Sequence, residues 1–245
     1  MKIEQTTTVQ YDDVDTDFRM KLPVLFQRLQ RAALHHSESV GLSNEKMVAD
    51  GAVWILNRML VRIQRLPVYR EPLTVRTWHK GSVGFRAGRD YQLFCNQEQV
   101  AAATSQWLFF DLNKKRITKI PKAVSAPYTA EAEEVLGAGA IDFAVDKAAP
   151  LKETMTITTR AGDLDPNGHV NNAAYLDYLD TLIKRSSMPS GMVTQVGIQY
   201  FKEIGQDVHD IQAGLTHQTD TAHFRFYDSS AVYAAGFVTF GVPAG

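Results

Sequence analysis

Three polar side chains suited to acid–base chemistry lie in one short stretch of the sequence. Asp165, Asn167 and His169 occupy alternate positions, so an extended backbone would direct all three to the same side. Pro166 and Gly168 separate them and favour a tight turn. A carboxylate can act as a base, an amide can donate a hydrogen bond, and an imidazole can exchange a proton near neutral pH. We call residues 165–169 the Asp165 turn.

A buried helix is predicted directly after this turn. Asn171 or Asn172 can cap its first residues. Apolar side chains then recur at helical spacing, namely Tyr175, Tyr178, Leu179, Leu182 and Ile183. The first N–H groups of a helix have no partner within it. Pointing toward the Asp165 turn, they would stabilise a negative charge that develops there.

The composition limits the class of protein. The 245 residues can form one large domain or two of moderate size, and 44% hydrophobic against 22% charged residues suffices for a folded core. The net charge of −1 argues against nucleic-acid binding. With Cys95 as the single cysteine, an internal disulfide and a cysteine-based metal cluster are excluded. The histidines show no metal-ligand spacing, so we expect neither a metal nor a cofactor.

The N-terminus has no apolar signal core. No apolar run approaches the roughly 20 residues that a membrane helix needs. We therefore expect a soluble, cytoplasmic protein that does not contact a membrane.

One order of elements is predicted twice. Each half begins with a strand, passes through a turn into a long helix, and ends in strands whose apolar residues alternate with polar ones. This order is typical of an α+β fold and not of a parallel α/β fold. The predicted domains are residues 1–126 and 151–245. The connection over 127–150 contains two prolines, follows a third at Pro121, and includes a helical piece at 129–136.

The two halves differ at the turn before the helix. Shifted by one constant offset, the first-half residues that fall on the three polar positions are Asp15, Asp17 and Arg19. Only the second half therefore presents an imidazole at the start of its helix.

The Asp165 turn and several strand segments resemble one enzyme family. Residues 165–172 read Asp-Pro-Asn-Gly-His-Val-Asn-Asn, with Tyr175 after them and Tyr-Phe-Lys-Glu at 200–203. Together with Trp-Ile-Leu-Asn-Arg at 54–58 and Leu-Thr-Val-Arg-Thr-Trp at 73–78, they resemble the acyl-acyl carrier protein thioesterases of plants and bacteria. The resemblance implies two tandem hotdog domains, each a long helix wrapped by an antiparallel sheet. It also implies hydrolysis of a fatty acyl-carrier protein thioester without a cofactor.

Two carboxylates and an imidazole are candidates for activating the attacking water. The resemblance places Asp165, His169 and Glu203 at functional positions of the family. Asp165 or Glu203 can act as the base or as a direct nucleophile, and His169 can shuttle a proton or orient a water. Many plant members have a cysteine directly after the glutamate, whereas this chain has Ile204. We therefore expect attack by water and not by a cysteine.

Hydrogen-bond donors for the developing oxyanion are expected at the same place. Asn167, which the resemblance also marks as functional, offers an amide N–H. The backbone N–H groups of Asn171 and Asn172 are candidates for an oxyanion hole. On pattern alone, Asp165 and Asn167 are more often simple turn formers, and His169 is equally well explained by a bond to a backbone carbonyl.

The resemblance also suggests where the substrate and the carrier protein bind. The acyl chain would lie in the first domain, between its helix and its sheet, beside Trp54, Met59, Leu60 and Phe85. Because the carrier protein is acidic, we expect a basic docking surface. Its candidates are Arg58, Arg62, Arg65, Lys115, Arg116 and Lys119, with Lys114 and Lys122 close to them. A homodimer is a further expectation, and the sequence gives no chain-length preference.

Two other functions are compatible with the same residues. One is a hotdog thioesterase that acts on acyl-coenzyme A instead of acyl carrier protein. The other is a non-catalytic module that keeps the fold and binds an acyl group.

Overall fold

Two long helices and an 11-stranded sheet dominate the computed structural model, which describes residues 1–188 and 191–241. The first half contains β1 (Lys2–Thr8), α1 (Leu22–Ser39), α2 (Asn44–Ala49), β2 (Ala52–Ile63), β3 (Pro72–Val83), β4 (Arg86–Cys95), β5 (Glu98–Asp111), β6 (Arg116–Ile117) and α3 (Lys122–Ser125). The second half contains β7 (Glu153–Thr158), α4 (Ala174–Arg185), β8 (Met192–Tyr200), β9 (Asp210–Gln218), β10 (Thr221–Tyr227) and β11 (Val232–Gly241). Within the described ranges, no helix combines the length and the apolar character needed to cross a membrane.

All the strands belong to one sheet and pair in the antiparallel sense. Their order is β1-β3-β4-β5-β2-β8-β11-β10-β9-β7, with β6 paired to β5. The two halves join where β2 pairs with β8, which places Met59 opposite Ile198 and Val61 opposite Val196. Each half thus contributes one long helix and its own antiparallel strands. The predicted α+β fold of two tandem hotdogs is confirmed.

One main core lies between the helices and the sheet. The predicted apolar stripes are buried on both helices, for example Leu29 on α1 and Leu179 on α4, each at 0% exposure. In β2, Val61 and Ile63 face this core while Arg62 between them is exposed, as alternation requires. Because residues of both helices and both sets of strands belong to this core, the halves pack as one unit around it.

The connection between the halves contains less helix than predicted. The segment 129–136 is not helical, so that prediction is wrong. Glu131 donates its N–H to the carbonyl of His79 at 2.9 Å, and Val135 donates its N–H to the Asp90 carboxylate at 2.9 Å. These tertiary hydrogen bonds outweigh the helix propensity of the glutamates and alanines in this segment.

Candidate active site

The Asp165 turn is held by its own carboxylate. Oδ1 of Asp165 accepts the N–H of Asn167 at 2.8 Å and the N–H of His169 at 3.3 Å. Nδ2 of Asn167 lies 3.4 Å from Oδ2 of Asp165. Gly168 follows with φ 77°, a left-handed conformation that costs glycine little. The side chain therefore fixes the backbone of the turn through Oδ1, while its Oδ2 contacts the Asn167 amide.

The equivalent turn of the first half makes the same hydrogen bonds. Oδ1 of Asp15 accepts the N–H of Asp17 at 2.9 Å and the N–H of Arg19 at 3.1 Å. Phe18, with φ 59°, takes the left-handed position of Gly168. The aspartate is thus part of a turn common to both halves. The halves differ in the two polar side chains that follow this aspartate, which are Asn167 and His169 in the second half and Asp17 and Arg19 in the first.

Backbone pairing brings His169 next to the segment that carries Glu203. His169 lies opposite Gly205 in an antiparallel bridge, and backbone hydrogen bonds of 2.9 and 3.1 Å flank this pair. Glu203 precedes Gly205 by two residues, so an extended backbone puts its side chain on the same face as His169. His169 is half-buried and Glu203 is exposed.

Hydrogen bonds tie the start of α4 to the strands at the junction of the halves. Oδ1 of Asn171 accepts the N–H of Ala173 at 2.9 Å and closes a turn just before the helix. The hydroxyl of Tyr200 donates to the carbonyl of Asn172 at 2.9 Å. Asn57 on β2 in turn donates Nδ2–H to the carbonyl of Tyr200 at 3.1 Å. The position of the helix start therefore depends on the first half as well as the second.

A buried carboxylate that the sequence analysis did not single out anchors the same region. Asp163 is 5% exposed, and it accepts hydrogen bonds from the Tyr178 hydroxyl and from the Arg160 guanidinium, both at 2.7 Å. Its carbonyl accepts the N–H of Asn171 at 2.8 Å. Burial alone would raise the pKa of the Asp163 carboxyl, but the hydrogen bonds from Arg160 and Tyr178 outweigh burial and lower it. Asp163 is therefore a charged anchor between the turn and α4.

A cavity of about 250 Å³ lies between the Asp165 turn and the first half of the chain. The second half lines it with Asp165, Asn167, Asn171 and Asn172, and the first half with residues that include Trp54, His79, Arg89, Trp107 and Tyr128. Among the described residues, His169 and Glu203 do not line this cavity. Four of the predicted catalytic and oxyanion residues thus share one space with side chains of the first half.

The four predicted substrate-binding side chains lie in different environments. Trp54 lines the cavity. Met59 is 1% exposed in the main core, and its neighbour Leu60 faces the other side of the sheet, where residues 140–142 contact β2. Phe85 lies between β3 and β4 and is 40% exposed. Of these four residues, all within the described part of the chain, Trp54 alone borders the cavity.

The predicted docking arginines make intramolecular contacts. Arg58 donates to two backbone carbonyls of the connection at 2.9 and 3.3 Å. Arg65 forms ion pairs with Glu71 at 2.7 Å and with Glu98 at 2.8 Å, and Arg62 reaches a β8 side chain at 3.4 Å. The exposed basic residues near β6 form a second group, which consists of Lys114, Lys115, Arg116, Lys119 and Lys122. Lys114 pairs with Asp111 at 2.9 Å.

A buried polar cluster beside the cavity was not predicted as part of the site. Nδ1 of His36 lies 2.8 Å from Nη1 of Arg89, in α1 and β4 respectively. Burial, followed by the charge of Arg89, lowers the pKa of both His36 and His79 to about 4, so both imidazoles are neutral at pH 7. The sequence carried a signal for this cluster: His36 falls on the apolar stripe of α1, where a polar side chain needs a partner.

Solved structures define the class of protein. The chain matches an acyl-ACP thioesterase from Bacteroides thetaiotaomicron VPI-5482 with a TM-score of 0.80 at 18% identity, over 98% of both chains. It matches the 12:0-ACP thioesterase from Umbellularia californica with a TM-score of 0.84 at 19% identity, over 98% of this chain and 97% of that one. The protein is thus a tandem hotdog protein along nearly its whole length.

Sequence comparison then gives the family. Residues 1–128 match the family model for the acyl-ACP thioesterase N-terminal domain, and residues 147–234 match the one for the C-terminal domain. The chain belongs to the acyl-ACP thioesterase family.

Curated relatives come from plants. The chain is 26% identical to the chloroplastic palmitoyl-acyl carrier protein thioesterase of Gossypium hirsutum, over 89% of this chain and 55% of that protein. It is 24% identical to the chloroplastic dodecanoyl-[acyl-carrier-protein] hydrolase of Cinnamomum camphora, over 83% of this chain and 56% of that protein. The chain spans about half the length of the curated relatives it matches.

Proposed function

We propose that this protein hydrolyses the thioester of a fatty acyl-acyl carrier protein. Water adds to the carbonyl carbon, the carbon–sulfur bond breaks, and the products are a free fatty acid and the carrier protein with its thiol restored. Family membership over both domains carries this proposal. The cavity supports it, because a space bordered by the first half opens onto the turn that bears a carboxylate and amide groups.

The base of the proposed mechanism is one of two carboxylates. Asp165 borders the cavity, and its Oδ2 accepts no backbone N–H, since both backbone donors use Oδ1. Glu203 is exposed and lies outside the lining, so Asp165 is the better placed of the two in this conformation. His169, on the face toward which Glu203 points, would orient the water or deliver its proton to the leaving sulfur.

The start of α4 would stabilise the oxyanion. The N–H groups of Asn171 and Ala173 already donate to Asp163 and to the Asn171 side chain. The N–H of Asn172 makes no hydrogen bond within the described residues. It is therefore the backbone donor that remains for a thioester oxygen, and Asn167 Nδ2–H is the nearby side-chain donor.

Attack by a cysteine does not fit this molecule. Cys95 is 0% exposed in the core of the first half. Burial, followed by the charge of Glu71, raises the pKa of its thiol to about 12. A neutral, enclosed thiol is a poor nucleophile, which supports attack by water.

The carrier protein would dock on the exposed basic group near β6. Lys115, Arg116 and Lys119 are exposed, whereas Arg58 and Arg65 are held by contacts within the chain. We expect the triple change of the three exposed residues to glutamate to raise KM for acyl-carrier protein at least about 10-fold, because charge complementarity governs encounter. KM for the same acyl group on pantetheine should stay within about twofold, and an equal rise for both substrates would refute this docking surface.

Two measurements test the proposed reaction. The first compares kcat/KM for one fatty acid carried on acyl carrier protein and on coenzyme A; an equal or higher value for the coenzyme A thioester would reject the carrier-protein substrate.

The second is His169→Ala, which should slow hydrolysis by about 10²–10⁴-fold, the usual effect of losing an acid–base group. His35→Ala, on the exposed face of α1, is the control. A folded His169→Ala variant that hydrolyses at the wild-type rate would reject the role of His169.

Location and assembly belong to the same proposal. We propose a cytoplasmic enzyme that works as a homodimer away from membranes. Sedimentation velocity at micromolar concentration tests the dimer, and a monomer mass would reject it.

A further inference from the structure

Arg89 is a buried cation that has no counter-ion in the described part of the chain. It is 6% exposed on β4, and both of its hydrogen bonds start from Nη1, to Nδ1 of His36 at 2.8 Å and to Oγ1 of Thr77 at 3.3 Å. Neither acceptor carries a charge. Within the described residues, the guanidinium has no carboxylate partner, and Nε and Nη2 have no hydrogen-bond partner. An uncompensated charge of this kind is costly to bury.

The surrounding histidines orient Arg89 without neutralising it. Because a guanidinium cannot accept a hydrogen bond, Nδ1 of His36 is the acceptor and the ring proton lies on Nε2. The His36 ring meets the ring of Tyr128 edge-on, at 5.4 Å and 87°. The Tyr128 ring also packs against His79 at 4.8 Å. This packing fixes the guanidinium in place and leaves its positive charge intact.

Arg89 borders the cavity from the first half of the chain. Arg89 and the Asp165 turn both line it, yet Asp165 forms no ion pair with Arg89, and its Oδ1 is occupied by the N–H groups of its own turn. A planar guanidinium with two free donor groups matches the two oxygens of a carboxylate. Arg89 is therefore placed to bind a carboxylate from the side of the cavity that the first half forms.

We propose that Arg89 forms a carboxylate-binding subsite inside this cavity. The carboxylate has two sources: the free fatty acid that the reaction releases, or a second carboxylate at the far end of the acyl group of a substrate. The binding of a free acid does not depend on hydrolysis. The distal-carboxylate source rests on the proposed function.

Calorimetric titration tests the subsite directly. Octanoate and 1-octanol are matched probes, because they share a chain of eight carbons and differ in the head group. Wild-type protein should bind octanoate at least about 10-fold more tightly than 1-octanol, and Arg89→Gln should reduce octanoate affinity by about 10- to 100-fold while leaving 1-octanol within about threefold. Arg31→Gln, which removes an exposed charge from α1, should leave both affinities unchanged.

A kinetic comparison separates the two sources. If the acyl group supplies the carboxylate, Arg89→Gln lowers kcat/KM for the monothioester of octanedioic acid by about 10- to 100-fold and spares the octanoyl thioester. If the product supplies it, only octanoate affinity falls. If Arg89→Gln does not fold, Arg89→Lys takes its place as the test variant. We expect Arg89→Lys to lose octanoate affinity on the order of 10-fold, because lysine cannot donate the two parallel hydrogen bonds of a guanidinium.

The subsite is overturned by any of three results: octanoate does not bind to the wild type, it binds no better than 1-octanol, or the Arg89 variants leave both octanoate affinity and the kinetic ratio unchanged. Arg89-dependent octanoate binding in a protein that hydrolyses no thioester would reject the proposed function and retain the subsite.

Discussion

The repeated turn allows the structural and chemical roles of Asp165 to be separated by experiment. Asp15 and Asp165 are both half-buried, and each accepts two backbone N–H groups through Oδ1, at 2.9 and 3.1 Å in the first half and at 2.8 and 3.3 Å in the second. Replacing either aspartate by alanine removes the same two bonds. We expect each change to lower the free energy of unfolding by about 1–2 kcal/mol, the scale of a lost side-chain cap.

The asparagine variants remove the charge but keep the acceptor. In Asp15→Asn and Asp165→Asn the amide oxygen can accept both N–H groups, so the loss of stability should stay below about 1 kcal/mol. If Asp165 is the base, Asp165→Asn slows hydrolysis by about 10²–10⁴-fold. Asp15→Asn should hydrolyse at the wild-type rate.

Two assays on the same four variants decide the question. Calorimetry gives the unfolding temperature, which should fall by about 2–8 °C for the alanine variants, given 2–4 °C per kcal/mol for a chain of this size. Thiol release measured by a colorimetric reagent gives the rate of hydrolysis. The reasoning is refuted if Asp165→Asn keeps full activity, or if folded Asp15→Ala loses as much activity as Asp165→Ala. The second result would mean that the turn, and not the Asp165 carboxylate, limits the reaction.

Two further predictions concern stability. Gly236→Ala should destabilise the fold by at least about 3 kcal/mol, because the new Cβ would lie 1.9 Å from the backbone oxygen of Gly197. Gly162→Ala is the control, since a Cβ at that position meets nothing within 4 Å. Equal stability of the two variants in chemical denaturation would contradict this prediction. Because the pKa of the Asp163 carboxyl is lowered in the folded protein, its stabilising effect is complete above the unfolded pKa of about 4 and is lost as the pH falls through the folded value. Urea unfolding between pH 6 and pH 2 should therefore show a steeper acid loss of stability for the wild type than for Asp163→Asn, and parallel curves would exclude this linkage.

The sequence by itself determined the elements and their repetition. The apolar stripe after Asn172 predicted α4, and the alternation around Val61 predicted β2, because helices and strands bury their side chains with different periods. The residue types of the Asp165 turn likewise predicted its conformation, since aspartate, proline, asparagine and glycine are locally suited to it. These features depend on neighbours within a few residues, which a sequence displays directly.

Only the tertiary structure decided which distant residues meet. Alternation put Met59 on the face of Val61 and its neighbour Leu60 on the other, but only the packing of the helices showed that the Met59 face lies against the main core. The segment 129–136 has helix-forming residues, yet hydrogen bonds to the first half keep it non-helical. The cavity that places Arg89 opposite Asp165 joins two halves far apart in sequence. Such contacts follow from long-range packing around a shared core, and local spacing carries no information about them.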